Sequence, residues 1–280
     1  MPVATMLHHN LVHIRDMTIA EFIIYFLFGG VVLAVLVWLK SRGSYRFRIR
    51  TRIGAPLTLA RDFANTSRSV FIYQGVQILG RLLILAFGYI LTFNEKLPLW
   101  QVVISFPLIL ILHDAYFYWT HRLFHLRPMF RFIHYEHHTV REPTVFAAYK
   151  FSIVEAALQG CFPLFYVLFF PCTFPTLIFF YAVMILHDVM IHSGVDVFPR
   201  QLVIGRFGWL CGTIHHDMHH HLGRTNYGLY LRFWDQVMKT EHPEFERIYD
   251  YVHSRENDGL AYDRILKGRR TIPTPALADA

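Results

Sequence analysis

The sequence has few charged residues and few cysteines. Asp, Glu, Lys and Arg make up 17% of its 280 residues, against about 25% in a typical soluble domain. The three cysteines, Cys161, Cys172 and Cys211, are odd in number and form no Cys-x-x-Cys pair, which excludes a disulfide scaffold. Hydrophobic residues reach 54% and aromatic residues 16%, too much apolar surface for a disordered chain. This composition predicts a membrane protein.

Long apolar runs predict where the chain crosses the membrane, since a helix needs about 20 residues to span the hydrocarbon core. The runs cover residues 18–39, 70–93, 99–119 and 153–191. The last run has room for two crossings, with residues 171–175 as the turn between them. The predicted fold class is therefore all-α, a polytopic membrane helical bundle of about four to five spans.

Positive charge is concentrated beside these runs. The net charge is +7 and the pI about 9.4. Six basic residues follow the first run: Lys40, Arg42, Arg46, Arg48, Arg50 and Arg52. The positive-inside rule places that end in the cytoplasm and explains the charge without a nucleic-acid partner. We expect an integral, multi-pass membrane protein.

Histidines are concentrated in three short segments, the histidine boxes. They are His121-Arg-Leu-Phe-His125, His134-Tyr-Glu-His137-His138, and His216-Asp-Met-His219-His220, which follows His215. Residues three and four apart share a helix face, so these spacings suit chelation of a metal. Eight imidazoles exceed the roughly four to six ligands of one ion, and they suit iron, copper or zinc. An even number of crossings between the boxes brings all of them to the cytoplasmic face as a histidine-rich di-metal cap.

Further candidates flank the boxes. Asp188 lies four residues before His192 and on the same helix face, which favours His192 as an additional ligand. Asp114 lies seven residues before His121, two turns away on its face. Four residues are secondary candidates, either as metal ligands or as partners that orient the ligands: His215, His187, Asp114 and Asp188.

Three classes of function fit this pattern. A histidine-dominated site beside an apolar interior favours iron that activates dioxygen against an unactivated C–H bond. A membrane zinc hydrolase is the first alternative, because zinc with bound water is a common use of histidine clusters. The second is a non-enzymatic metal- or haem-binding membrane protein, although transport sites typically lie near the midplane rather than after the spans.

The boxes resemble those of the fatty acid hydroxylase superfamily, within its sterol desaturase family. The similarity extends to His113-Asp-Ala-Tyr-Phe-Tyr-Trp-Thr-His-Arg, to Ile191-His-Ser-Gly194 and to Asn226-Tyr-Gly-Leu-Tyr-Leu-Arg-Phe-Trp-Asp235. The last run is most similar to sterol C-5 desaturase-type members. The resemblance covers roughly residues 100–245.

The resemblance implies a membrane-bound non-haem di-iron oxidoreductase that uses dioxygen to hydroxylate or desaturate a sterol or fatty-acyl lipid. The lipid would come from the membrane, and electrons from a separate donor: a cytochrome b5-like protein, a ferredoxin or a flavin reductase. The implied ligands of the two iron ions are His121, His125, His134, His137, His138, His192, His216, His219 and His220, and no catalytic residue is separate from them.

One departure from the family pattern concerns Ser152, which stands where many members have a histidine. We expect three regions: an N-terminal membrane anchor region with a basic cytoplasmic loop (1–95), the catalytic domain (96–250) and a C-terminal tail (251–280). A bacterial inner membrane is favoured over the endoplasmic reticulum, because no retention signal is visible and the tail is short.

Overall fold

The computed structural model describes residues 3–41, 49, 56–86, 97–140, 144, 146–254 and 265–266. This part of the chain is all-helical, as the sequence predicts, and its backbone contains no strand beyond isolated bridges such as Leu210 with Leu231. Most of the predicted basic loop, residues 94–96 between the second and third apolar runs, and most of the predicted tail lie outside the described residues.

Twelve α-helices are described. They are α1 (Val3–Ser41), α2 (Pro56–Ala86), α3 (Leu99–Phe124), α4 (Arg127–Met129), α5 (Tyr135–His138), α6 (Ile153–Gly160), α7 (Phe162–Phe169), α8 (Phe174–Ile191), α9 (Arg200–Val203), α10 (Thr213–Leu222), α11 (Phe233–Val237) and α12 (Phe245–His253). A π-helical segment, Phe130–His134, joins α4 to α5, and a 3-10 turn, Ala147–Tyr149, precedes α6.

Two of the described helices, α3 and α8, are long and apolar enough to cross a membrane. Shorter apolar stretches occupy Thr18–Val32 of α1 and Ile153–Phe169 of α6 and α7. The outer faces of α1 and α3 expose large apolar side chains, among them Ile23, Leu27, Val103 and Ile111. Such surfaces mark contact with a membrane or a partner. These features support membrane association.

The apolar segment 153–191 contains the predicted turn, because α7 ends at Phe169 and α8 begins at Phe174. Thr173 caps α8 by accepting a hydrogen bond from the Thr176 backbone N–H. The rings of Phe162 and Phe180 lie 5.6 Å apart, so α7 packs back against α8. One break was not predicted: Pro163 lacks the N–H that would continue α6, and a new helix begins at Phe162.

The two candidate spans end at the same place. His121 lies in the last turn of α3, and His192 directly follows α8. The second box lies between them: His121 Nε2 is 3.0 Å from His134 Nε2, and His192 Nε2 is 3.3 Å from His137 Nε2. Both helices therefore deliver their C-terminal ends to one histidine-rich site.

Candidate metal centre

Nine histidine side chains converge into two adjoining groups. The five-histidine group consists of His121, His125, His134, His138 and His219, and the four-histidine group of His137, His192, His216 and His220. Within each group the candidate ligand atoms all lie within 4.8 Å of one another. These nine residues are the ones that the sequence nominates as metal ligands, and the structure brings all of them together.

The second and third boxes each contribute to both groups. The first and last histidines of a box join one group, and the middle histidine joins the other. The middle histidines are His137, in the four-histidine group, and His219, in the five-histidine group. On a helix, residue i+4 lies about 40° from residue i, whereas i+3 lies about 60° to the other side. A single turn of helix can therefore serve two neighbouring sites.

The Nε2 atoms face one another at short range. His216 Nε2 is 2.9 Å from His192 Nε2 and 3.0 Å from His220 Nε2, and His192 and His220 are 3.3 Å apart. In the other group His138 Nε2 lies 3.2 Å from His125 Nε2 and 3.1 Å from His219 Nε2. Three neutral nitrogens this close cannot all pair with one another, since their lone pairs or protons repel. A cation shared between the lone pairs resolves the conflict, so the donors fit a metal ion.

The opposite ring nitrogens are fixed by acceptors from the chain. His121 Nδ1 donates to the Tyr227 carbonyl oxygen at 2.8 Å, and His219 Nδ1 donates to that of Thr225 at 2.8 Å. His192 Nδ1 donates to the Asp188 carbonyl at 2.8 Å. A carbonyl oxygen can only accept, so each Nδ1 carries the proton and each Nε2 presents its lone pair to the group.

Burial keeps His125, His138, His216 and His219 neutral. It lowers the pKa of His125 to about 2, with His121 and His138 adding to the effect. Burial likewise lowers the pKa of His138 to about 4, and it holds those of His216 and His219 well below 6.5. A metal ligand must present a free lone pair, and a neutral imidazole does so at neutral pH.

Two of the four secondary candidates do not reach either group. His187 Nε2 donates to the Leu229 carbonyl oxygen at 2.8 Å. His215 is fully buried with its Nε2 3.7 Å from an Asp235 carboxylate oxygen and 3.8 Å from one of Glu241. The side of α10 that carries His215 therefore faces away from the centre.

The two acidic candidates have different positions. The Asp188 carboxylate lies 3.3 Å from His192 Nδ1, so this residue contacts its histidine through both carbonyl and carboxylate. Asp114 instead accepts hydrogen bonds from the backbone N–H groups of Tyr230 and Leu231, at 2.9 and 3.1 Å. Asp114 holds the loop after α10 rather than an imidazole.

Two parts of the site could not be predicted from the histidine boxes. One is this loop, residues 223–232, and the other is Glu155. Asp235 accepts hydrogen bonds from the backbone N–H groups of Tyr227 and Gly228, at 2.9 and 2.7 Å. It thereby fixes the loop whose carbonyls orient His121. The only signal for this in the sequence is the run 226–235, which the family resemblance includes.

Glu155 accepts a hydrogen bond from His134 Nδ1 at 2.6 Å. Ser152, the residue that departs from the family pattern, caps α6 by accepting from the Glu155 backbone N–H at 3.1 Å. The serine therefore positions the helix turn that carries the acid. A lone glutamate in an apolar run is itself a sign of function, because an intramembrane acid is costly to keep.

Comparisons with known proteins find relatives for the segment that contains the boxes. Residues 106–240 match the family model for fatty acid hydroxylase. C-4 methylsterol oxidase erg25 of Schizosaccharomyces pombe is 33% identical over 149 residues, which cover 51% of this chain and 47% of that protein. Lathosterol oxidase of Rattus norvegicus is 33% identical over 175 residues, 60% of this chain and 56% of that protein.

A third relative, human cholesterol 25-hydroxylase, is 33% identical over 135 residues, 47% of this chain and 48% of that protein. The chain thus spans about half the length of the curated relatives it matches. No solved structure matches it significantly. The matched segment, residues 106–240, contains all three boxes and His192. Through this segment the chain is similar to the fatty acid hydroxylase family.

Proposed function

We propose that the protein is a membrane-bound non-haem di-iron oxidoreductase that uses dioxygen to hydroxylate or desaturate a sterol or fatty-acyl lipid. The observation that carries the proposal is the pair of adjoining, buried, all-imidazole groups. Nine imidazoles exceed what one ion can bind, so two ions is the natural number. The five-histidine group would hold one ion and the four-histidine group the other.

Iron is favoured over zinc by the chemistry of the relatives, which are named as oxidases and hydroxylases. When bound, the two iron ions would supply the redox chemistry that reduces dioxygen. Hydroxylation takes one C–H bond, O2, two electrons and two protons to an alcohol and one water. Desaturation takes two neighbouring C–H bonds and the same reactants to an alkene and two waters. A separate donor, a cytochrome b5-like protein, a ferredoxin or a flavin reductase, would deliver the electrons.

A narrow cavity beside the histidines offers a place for the reacting carbon. This centre cavity is lined by Phe117, Phe151, Gln159, Asp188 and Leu229, among others. The Phe151 ring lies 5.2 Å from the His137 ring, and the Phe117 ring lies 5.0 Å from that of His121. The two phenylalanines thus touch both the cavity and the centre. They would hold hydrocarbon against the ions and exclude water from the site.

The remaining residues of the site would act by orientation. The carbonyls of Thr225, Tyr227 and Asp188 hold three imidazoles with Nε2 toward the ions. Preorganised ligands of this kind need no rearrangement when an ion or a substrate binds.

The proposal extends to the topology and the domains. Residues 96–250 would form the catalytic domain, residues 1–95 its membrane anchor and basic loop, and residues 251–280 the tail. Four to five spans would place the histidine cap on the cytoplasmic side. Labelling of single cysteines placed on α10 and in the 42–52 loop, from one side of sealed vesicles, tests this: both should react from the cytoplasmic side.

Metal analysis and isotope labelling test the activity. The purified protein should contain two iron ions per chain, and membranes that contain it should incorporate oxygen from labelled O2 into lipid, or form a new double bond. His137→Ala and His219→Ala, one from each group, should abolish the product while the protein stays in the membrane. His8→Ala, an exposed histidine of α1, is the matched control. Two zinc ions, no iron and activity without dioxygen would instead establish the hydrolase alternative.

A further inference from the structure

A second cavity lies in the helix bundle, next to the centre cavity. This bundle cavity is lined by Glu21, Tyr73, Gln74, Tyr181 and Met184, among others. Tyr73, Tyr149 and Met184 line both cavities, so the two share a wall. Met184 has a flexible, unbranched side chain, which suits a wall that moves to let a ligand through.

The bundle cavity is unusual for its buried polar groups. Glu21, Tyr73 and Gln74 come from the apolar segments of α1 and α2, and they are 2%, 7% and 4% exposed. Gln74 Nε2 donates a hydrogen bond to the Glu21 carboxylate. Polar groups inside a membrane bundle are costly, so their presence calls for a function.

All three of these groups have an unused hydrogen-bonding atom, which in Glu21 is the carboxylate oxygen Oε1. Tyr73 Oη and Gln74 Oε1 are buried and have no hydrogen-bond partner among the described residues. A buried polar atom without a partner costs roughly 1–3 kcal/mol. Tyr73 Oη can donate and accept, whereas Gln74 Oε1 can only accept. Together they match a hydroxyl group, which can donate to one and accept from the other.

The distance between this polar end and the centre follows from α8. Tyr181 lines the bundle cavity, and Asp188, which contacts His192, lines the centre cavity. Seven residues of helix separate them, or about 10 Å at 1.5 Å per residue. The wall between the two ends includes Met184 and, in the bundle cavity, Ile185.

We infer that the bundle cavity binds the hydroxyl group of a neutral lipid alcohol, whose hydrocarbon extends past Met184 into the centre cavity. The orientation of the lipid rests on the proposed oxidation at the histidine centre, but its binding does not. The inference therefore defines the substrate class by its polar end: an alcohol rather than a free acid or a plain hydrocarbon.

Binding measurements test this independently of activity. The full-length protein in detergent would be titrated with cholesterol, with 1-octadecanol, and with the methyl ether of each, which cannot donate a hydrogen bond. At least one alcohol should bind about tenfold more tightly than its ether, a difference of about 1.4 kcal/mol. The pair that shows the difference identifies a sterol or a linear alcohol as the source. Equal binding of alcohol and ether in both pairs would overturn the inference.

Variants locate the contact. Tyr73→Phe removes one unpartnered hydroxyl and should reduce the preference for the alcohol below about threefold. Tyr166→Phe removes a buried tyrosine hydroxyl of α7 that donates to the Ser105 carbonyl and lines neither cavity, so the preference should persist. Gln159→Leu tests the centre cavity, where Gln159 Oε1 also has no partner among the described residues. Loss of the preference in Gln159→Leu alone would place the hydroxyl there and refute the assignment.

Octadecanoate serves as the competing ligand. The Arg81 guanidinium is buried in α2, where its Nη2 donates to Gln77 Oε1 at 3.2 Å, but Arg81 does not line either cavity. The acid should therefore bind more weakly than 1-octadecanol. Tighter binding of the acid, lost in Arg81→Gln, would overturn the assignment to an alcohol. If the protein contains no iron, or oxidises no lipid, but still prefers the alcohol to its ether, the proposed function is refuted and the inferred alcohol site is not.

Discussion

Glu155 is a buried acid whose effect on the centre passes through His134. A carboxylate that accepts from Nδ1 fixes the tautomer and raises the basicity of the other nitrogen. Glu155→Gln keeps the shape but replaces the carboxyl group with an amide. We expect iron affinity or turnover to fall by about 10- to 100-fold, measured by competition with a chelator and by product formation.

Glu136→Gln is the matched control for this substitution. Glu136 is half-exposed and pairs with Arg68 at 2.5 Å on the surface beside the same box. Exposed pairs of this kind contribute little, so iron affinity should stay within about twofold. Similar losses in both variants would show that the carboxylate on His134 has no special role.

At this scale the sequence predicts the candidate ligands better than the groups that orient them. Eight of the nine histidines follow from the spacing within the boxes, because i, i+3 and i+4 contacts need only a helix. The ninth, His192, is favoured by Asp188 four residues before it. The acceptors of their Nδ1 protons are distant in sequence: Tyr227 is 106 residues from His121. Every residue type has a backbone carbonyl, so the sequence cannot identify these acceptors and only the folded structure shows them. His187 and His215 show the converse, since proximity in sequence to His192 or to a box does not place a side chain in the centre.

At the scale of elements, the sharing of boxes between the two groups makes a quantitative prediction. The double variant His216→Ala/His220→Ala removes half of the four-histidine group and leaves the five-histidine group complete. We expect about one iron per chain and no turnover, measured by elemental analysis and product formation.

The reciprocal variant, His121→Ala/His125→Ala, removes two ligands of the five-histidine group. It should also retain about one iron, held by the four-histidine group. Loss of both ions in either variant would contradict the division into two groups.

The loop after α10 depends on a glycine. A Cβ on Gly228 would lie 2.6 Å from the Leu231 carbonyl oxygen and 2.9 Å from Cys211 Sγ. Because the nearest of these atoms is a backbone oxygen, which cannot move like a side chain, Gly228→Ala must displace the loop that orients His121. We expect a lower melting temperature and loss of at least one iron. Gly30→Ala is the control, because its Cβ would meet no atom within 4 Å; equal melting temperatures of the two variants would argue against a tight loop.

The helices themselves were only partly predictable from apolar runs. α1 begins at Val3 and α2 at Pro56, whereas the apolar runs begin at residues 18 and 70. Hydropathy reports contact with lipid or core, and a helix can continue beyond that contact with polar residues. The π-helical segment Phe130–His134 could not be read from the sequence, because its extra residue per turn depends on how the second box meets its neighbours.

At the scale of the whole molecule, burial of so many neutral imidazoles makes the metal-free fold sensitive to acid. The pKa values of His125 and His138 are lowered to about 2 and about 4, against about 6.5 in an unfolded chain. Below pH 6.5 the unfolded chain takes up protons that the folded protein does not. The free energy of unfolding that these neutral histidines contribute to the metal-free protein is complete above about pH 6.5. It is lost as the pH falls toward 4.

We therefore expect the chelator-treated protein to melt at a lower temperature at pH 5 than at pH 7. His138→Gln, which removes one such group, should show a smaller difference, and the exposed His8→Ala should behave as the parent. A melting temperature independent of pH in this range would contradict the burial of neutral histidines.

The composition of the chain predicts the all-helical architecture and membrane association, because both follow from how apolar surface is distributed. Sidedness, the number of spans and the domain limits remain predictions, since they depend on segments such as 42–48 and 87–96. The two cavities could not be predicted from the sequence. They form where helices distant in sequence leave space, and the polar residues of the bundle cavity look in the sequence like scattered interruptions of apolar runs.

Helix α8 contributes to both cavities, and His192 directly follows it. A helix advances by a fixed 1.5 Å per residue, so α8 sets the distance between the polar end of the bundle cavity and the histidine centre. A lipid held by its hydroxyl beside Tyr181 would present to the centre the carbon about 10 Å away, whatever the intrinsic reactivity of its other C–H bonds. The position oxidised would then be selected by its distance from the hydroxyl group rather than by bond strength.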